Sequence, residues 1–188
     1  MESINFFIEN KTLFTIIHLL GVVMGMGSAL ISDILFNFYS KDRKLNETER
    51  STLILLSNIV WISLVFIILS GTALFLSDPQ KYMISQKFIS KMFIMVVLLV
   101  NGLFLHKLVS PHFSDRGLLK FKNLRNTRQI AFACGAVSLV SWTIVCILGV
   151  LKSIPYKFTD FLLGYLVFTI IAIIISLIIE MKSFNIQK

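Results

Sequence analysis

The chain has 188 residues, of which 56% are hydrophobic and only 15% charged, with a formal net charge of +8. Its mean hydropathy of +0.83 lies far above that of ordinary soluble domains, which excludes a water-soluble globule. The basic balance does not mark a nucleic-acid binder, because no basic stripe is interleaved with base-stacking aromatics and the 17 Phe sit mainly in or beside apolar runs.

The first residues, Met1 to Lys11, carry Glu2 and Glu9 and lack the basic start of a secretory signal. The apolar run that follows, about 12–36, is therefore expected to remain as a spanning helix, free of formal charge until Asp33. A second run covers about 52–76; Asn46 with Glu49 three residues later reads as the capped start of its helix. The third is the shortest. Only fifteen residues separate Lys91 from Lys107, whereas crossing a bilayer takes about 20. This helix must then begin near Phe88, span about 88–108, and hold Lys91 at or just below the interface.

The fourth run covers about 130–151 and the fifth about 161–180, bounded by Asp160 and Glu180. The fifth is Ile, Leu and Phe with little polarity beyond Tyr165 and Thr169, and is expected to face mostly lipid. The fold class is all-α: a polytopic membrane protein of five transmembrane helices in one domain, 1–188, with a four-helix core and a peripheral fifth helix. Between the third and fourth runs, 110–128 mixes Leu118, Leu119, Phe121 and Leu124 with basic residues. It reads either as a surface-lying amphipathic helix or as a solvated basic loop.

Basic residues set the expected orientation. Twelve flank one side (Lys41, Arg43, Lys44, Arg50, the 107–128 group, Lys182 and Lys188) and six the other. The richer side should be cytoplasmic, placing the N-terminus outside and the C-terminus inside an inner (cell) membrane. Cys134 and Cys146 lie twelve residues apart in one helix, roughly 18 Å, too far for a disulfide.

Polar residues inside a bilayer are costly, so each is a candidate functional group. In the first helix, His18, Gly21, Gly25, Ser28 and Ser32 follow a 3,4,3,4 spacing, and Gly21 with Gly25 forms a small-xxx-small packing pattern. His18 should therefore face protein. Gly135, Ser138, Trp142 and Gly149 form a similar seam on the fourth helix, while Asn58 and Trp61 share a face of the second. Depth sorts the ionisable groups. His18 lies roughly 9 Å outward of mid-membrane, and Lys91 is at comparable depth. His106 lies roughly 20 Å further in, near Asp33, too far for one haem to be held between the two histidines. Two pairs remain, His18 with Lys91 and Asp33 with His106. The outer pair reads as a ligand site, with a neutral imidazole and a buried amine, or as a structural hydrogen bond beside a snorkelling lysine. The first reading requires the first and third helices to lie antiparallel, side by side.

These positions resemble a known group. Haem-containing, quinone-linked protoporphyrinogen oxidases of bacterial membranes have a histidine in the first span. A lysine opens their third, and a second histidine follows about fifteen residues later. Here these are His18 in Ile16-Ile17-His18-Leu19-Leu20-Gly21, Lys91 in Ser90-Lys91-Met92-Phe93, and His106 in Leu103-Phe104-Leu105-His106-Lys107. Ser70-Gly71 and Ser141-Trp142 are similar to elements of the broader group, which includes copper-resistance D-type membrane proteins. The likeness covers the first four helices; the fifth helix and Asn101-Gly102 depart from it. It implies haem b as cofactor, His18 (the metal ligand) and Lys91 as axial or near-axial groups, and oxidoreductase chemistry on a porphyrin with quinone as acceptor.

Two other classes fit the composition: an ion or solute transporter or channel lined by Asp33, Asn58, His106 and Lys91, and a structural or assembly subunit, including a homo-oligomer, docked through Gly21 and Gly25.

Overall fold

A computed structural model describes residues 2–39, 46–106, 121–151 and 156–185. Among these there is no strand. The helices are α1 (Glu2–Glu9), α2 (Lys11–Tyr39), α3 (Glu47–Ser77), α4 (Pro79–Ile84), α5 (Gln86–Phe104), α6 (Phe121–Val150) and α7 (Phe158–Asn185). Five of them, α2, α3, α5, α6 and α7, are long and apolar enough to cross a membrane. The outward surfaces agree: Val23, Leu69, Leu163 and Phe168 are all more than 60% exposed, a disposition that suits acyl chains rather than water. The chain is a multi-pass membrane protein.

Local chemistry sets the helix limits. At the start of α3 the Asn46 side chain accepts from Glu49 N (2.8 Å) and Glu49 Oε2 accepts from Asn46 N (2.9 Å), completing the expected capping box. After Ser77 the chain breaks at Asp78, whose carboxylate accepts from Lys81 N at 3.3 Å, and restarts with Pro79 at the first position of α4. Ser85 then caps α5 through Phe88 N. The third span therefore starts at Gln86, two residues before Phe88. Around this turn, the Phe88 ring stacks on Phe75 (5.4 Å) and tilts against Tyr82 (5.5 Å), an aromatic cluster suited to a membrane–water boundary. At its other end α5 passes into a wider turn at Leu105 and His106. Part of the basic connection, 107–120, lies outside the described residues; from Phe121 onward it is α6 itself, continuous into the fourth span.

Packing is unequal. Antiparallel α2 and α3 run along one another, α6 pairs with α7, and α5 lies against α6 and α7. The two groups meet where α2 touches α6, and α1 folds back on α3. One core joins them, built from Ala29, Leu64, Ile67, Ile94, Leu98, Trp142, Leu148 and Tyr165. The fifth spanning helix, α7, is peripheral along most of its length, yet it sends Tyr165, Thr169 and Glu180 inward. Tyr165 OH and Ser141 Oγ share a buried hydrogen bond of 2.8 Å. Glu180 Oε1 pairs with Arg128 Nε at 3.2 Å. Gln129 Nε2 donates to the other carboxylate oxygen at 3.4 Å. At the opposite end, Lys87 Nζ donates to the Leu151 carbonyl, and Phe158 N donates to Gln86 Oε1, fastening α5 to the α6–α7 connection.

Candidate functional site

His18 lies seven residues into α2, Lys91 five into α5 and Ser70 seven before the end of α3. These ends share one side of the bundle, so at 1.5 Å per residue all three fall roughly 8–11 Å below it. The shared layer expected from depth is present. His18 Nδ1 lies 3.1 Å from Ser70 Oγ, and the ring rests on α3 where Gly71 has no side chain: a Cβ there would meet His18 Cε1 at 3.4 Å. Lys91 is near enough for its charge to act on His18, and it neighbours Lys87 and Cys146 in the same way.

The helices that carry this pair are not placed as expected. α2 and α5 run in the same direction but do not pack along one another; α6 stands between them. The reason is the glycine seam itself. Gly21 and Gly25 let α2 close on α3 and α6. A Cβ on Gly21 would lie 3.0 Å from Ile67 Cγ1, and one on Gly25 would lie 2.6 Å from Trp142 Cη2 and 3.1 Å from Ser63 Cβ.

The inner pair requires correction. Asp33 does not face His106, which is exposed at the end of α5. Eight residues beyond Gly25, Asp33 meets α6 again at Gly135, seven residues before Trp142. The seam that seats Trp142 therefore also turns the carboxylate onto α6. A Cβ on Gly135 would be 3.0 Å from Asp33 Oδ1. From α5, Asn101 Nδ2 donates to the Cys134 carbonyl at 3.0 Å, so Asp33 and Asn101 flank one turn of α6. Among the described residues Asp33 has no ion-pair partner. Asn58 is exposed on α3, and Trp61 packs over Gly102, where a Cβ would stand 3.4 Å from Cζ2. Asp33, Asn58, His106 and Lys91 do not line one path. Cys134 and Cys146 are both free thiols.

Of the serines of α3, only Ser70 stands out in the sequence, through Ser70-Gly71. Ser63, Ser70 and Ser77 are all buried and recur every seven residues, a spacing that marks one packed face of the helix. Each hydroxyl is satisfied by its own helix: Ser63 donates to Ile59 O (2.7 Å), Ser70 to Phe66 O (2.5 Å) and Ser77 to Leu74 O (2.7 Å).

Compared with protein-family models, curated proteins and solved structures, the chain matches none. The site is read from its own geometry. Among the described residues no three His, Cys, Asp or Glu side chains converge, so the layer does not offer a bare metal ion a protein-only shell. What it offers is a single half-buried imidazole, set beside the Ser70 hydroxyl and the Ile67 backbone of the next helix.

Proposed function

We propose that the protein is an integral-membrane redox protein that would hold b-type haem through His18 on the outer side of the bundle, with Lys91 in the same layer but on a helix that does not pack along α2. The observation that carries the reading is the 3.1 Å contact from His18 Nδ1 to Ser70 Oγ, which engages one ring nitrogen and leaves Nε2 for a metal. A haem bound there supplies one-electron chemistry, with quinone or a porphyrin as the expected redox partner. The chain's own contribution is positional. Ser70 and Gly71 seat the imidazole. Lys91 places its amine in the same layer.

The test is a reduced-minus-oxidised difference spectrum of detergent-purified protein, with a quinol as reductant. The expected result is a b-type α-band that develops with quinol and is lost in His18→Ala. Protein that carries haem but is not reduced by any quinol contradicts the redox assignment. Ion passage is the second reading, favoured only by the Asp33 carboxylate against Gly135. It predicts proteoliposome flux that Asp33→Asn abolishes irrespective of haem.

A further inference from the structure

We propose that Ser70 is a positioning residue that fixes the tautomer of His18, holding the proton on Nδ1 so that Nε2 is the atom presented to a ligand. The inference rests on the ligand-site reading for its purpose, and on the hydrogen-bond geometry around Ser70 for the tautomer.

Ser70 has one hydroxyl hydrogen. The Phe66 carbonyl, one helical turn back, lies 2.5 Å from Ser70 Oγ and takes that hydrogen; the Ile67 carbonyl, at 3.3 Å, is a weaker second acceptor on the same side. Toward His18 the hydroxyl therefore has only lone pairs to offer. A nitrogen 3.1 Å from an oxygen that can only accept must itself donate, so Nδ1 carries the hydrogen. In the neutral imidazole the remaining nitrogen, Nε2, then has the free lone pair. Ser70 is 3% exposed, so water does not compete for this arrangement. The arrangement is pinned from two helices at once. Gly71 admits the ring edge on α3, and Gly21 and Gly25 hold α2 against it. Free imidazole in a histidine side chain favours the opposite tautomer, so a locked Nδ1–H form is a state its surroundings impose. It makes the distal nitrogen a ready ligand, as second-shell partners do for metal-bound histidines.

The experiment is nitrogen NMR of protein labelled at histidine, purified haem-free into a lipid bilayer mimic, with the His18 signals assigned by their loss in His18→Ala. The wild type is expected to show a protonated Nδ1 and an unprotonated Nε2. In Ser70→Ala the preference for that tautomer is expected to fall roughly tenfold, the worth of one hydrogen bond. Ser70→Thr, which keeps the hydroxyl, is expected to restore it and also serves if the alanine variant folds poorly. An unprotonated Nδ1 in the wild type overturns the proposal, as does an unchanged tautomer in folded Ser70→Ala. Because no haem is needed, the result separates the two claims. A locked tautomer in protein that never binds haem supports the lock while removing its assigned ligand. A haem spectrum lost in His18→Ala beside an unlocked ring supports the ligand while removing Ser70.

Discussion

Gly25 sits where three helices converge, and Trp142 occupies the space its side chain would need. A Cβ would lie 2.6 Å from the indole, which is 2% exposed and has no open volume to enter. Gly25→Ala is expected to cost about 1–3 kcal/mol in a detergent unfolding titration, since overpacking a closed core forces backbone or rotamer shifts. Gly27 is the control. Nothing lies within 4 Å of a Cβ there, so Gly27→Ala should be neutral, or stabilising by up to about 1 kcal/mol through helix propensity alone. Equal losses at both positions would contradict the packing account. Gly135 and Asp33 form a second residue pair. Gly135→Ala crowds Oδ1 at 3.0 Å and should cost about 1 kcal/mol, a penalty that disappears when Asp33→Ala is already present. Additive effects in that double-mutant cycle would mean the carboxylate does not occupy the glycine notch. The seam was legible, because small residues at 3,4 spacing have few other reasons to recur. Which neighbour each residue meets was not. The rotational phase that sends Asp33 to α6 rather than to His106 is fixed by Trp142 entering the Gly25 notch, a contact made across more than a hundred residues.

At the scale of the element, the five spans were legible because bilayer thickness imposes a length that few other constraints mimic. The Asn46 and Glu49 box was legible because it is local. The short turn at Asp78 and Pro79 used the same capping chemistry but lies between apolar runs, where hydropathy draws attention away from it. The ties between α6 and α7 are different in kind. Arg128 with Glu180, and Ser141 with Tyr165, join residues 52 and 24 positions apart, and no local pattern announces them. Glu180 is 1% exposed and Arg128 12%, so the charges are removed from solvent together. Glu180→Ala leaves the guanidinium without its carboxylate and should destabilise the protein by about 3–5 kcal/mol. Tyr165→Phe should cost only about 1 kcal/mol, because Ser141 keeps its 2.6 Å bond to the Val137 carbonyl. Thermal unfolding in detergent ranks the two. A Tyr165→Phe loss equal to that of Glu180→Ala would refute the view that the ion pair is the main tie.

For the whole molecule, the excess of basic residues beside one set of helix ends predicts an N-terminus outside the cell. Single cysteines introduced at Gln80 and Lys182, both exposed, test this in a Cys134→Ser/Cys146→Ser background. Gln80→Cys should react with an impermeant maleimide on intact cells lacking an outer barrier, and Lys182→Cys only after the membrane is opened. The reverse pattern would invert the bundle and put the His18 layer near the cytoplasm. Whether the imidazole on α2 holds a haem is read from absorbance. Wild-type protein purified after haem-supplemented expression should show a Soret band, and His18→Ala should lose it while eluting as the same folded species. A colourless wild type, or a Soret band that survives His18→Ala unchanged, would contradict the account.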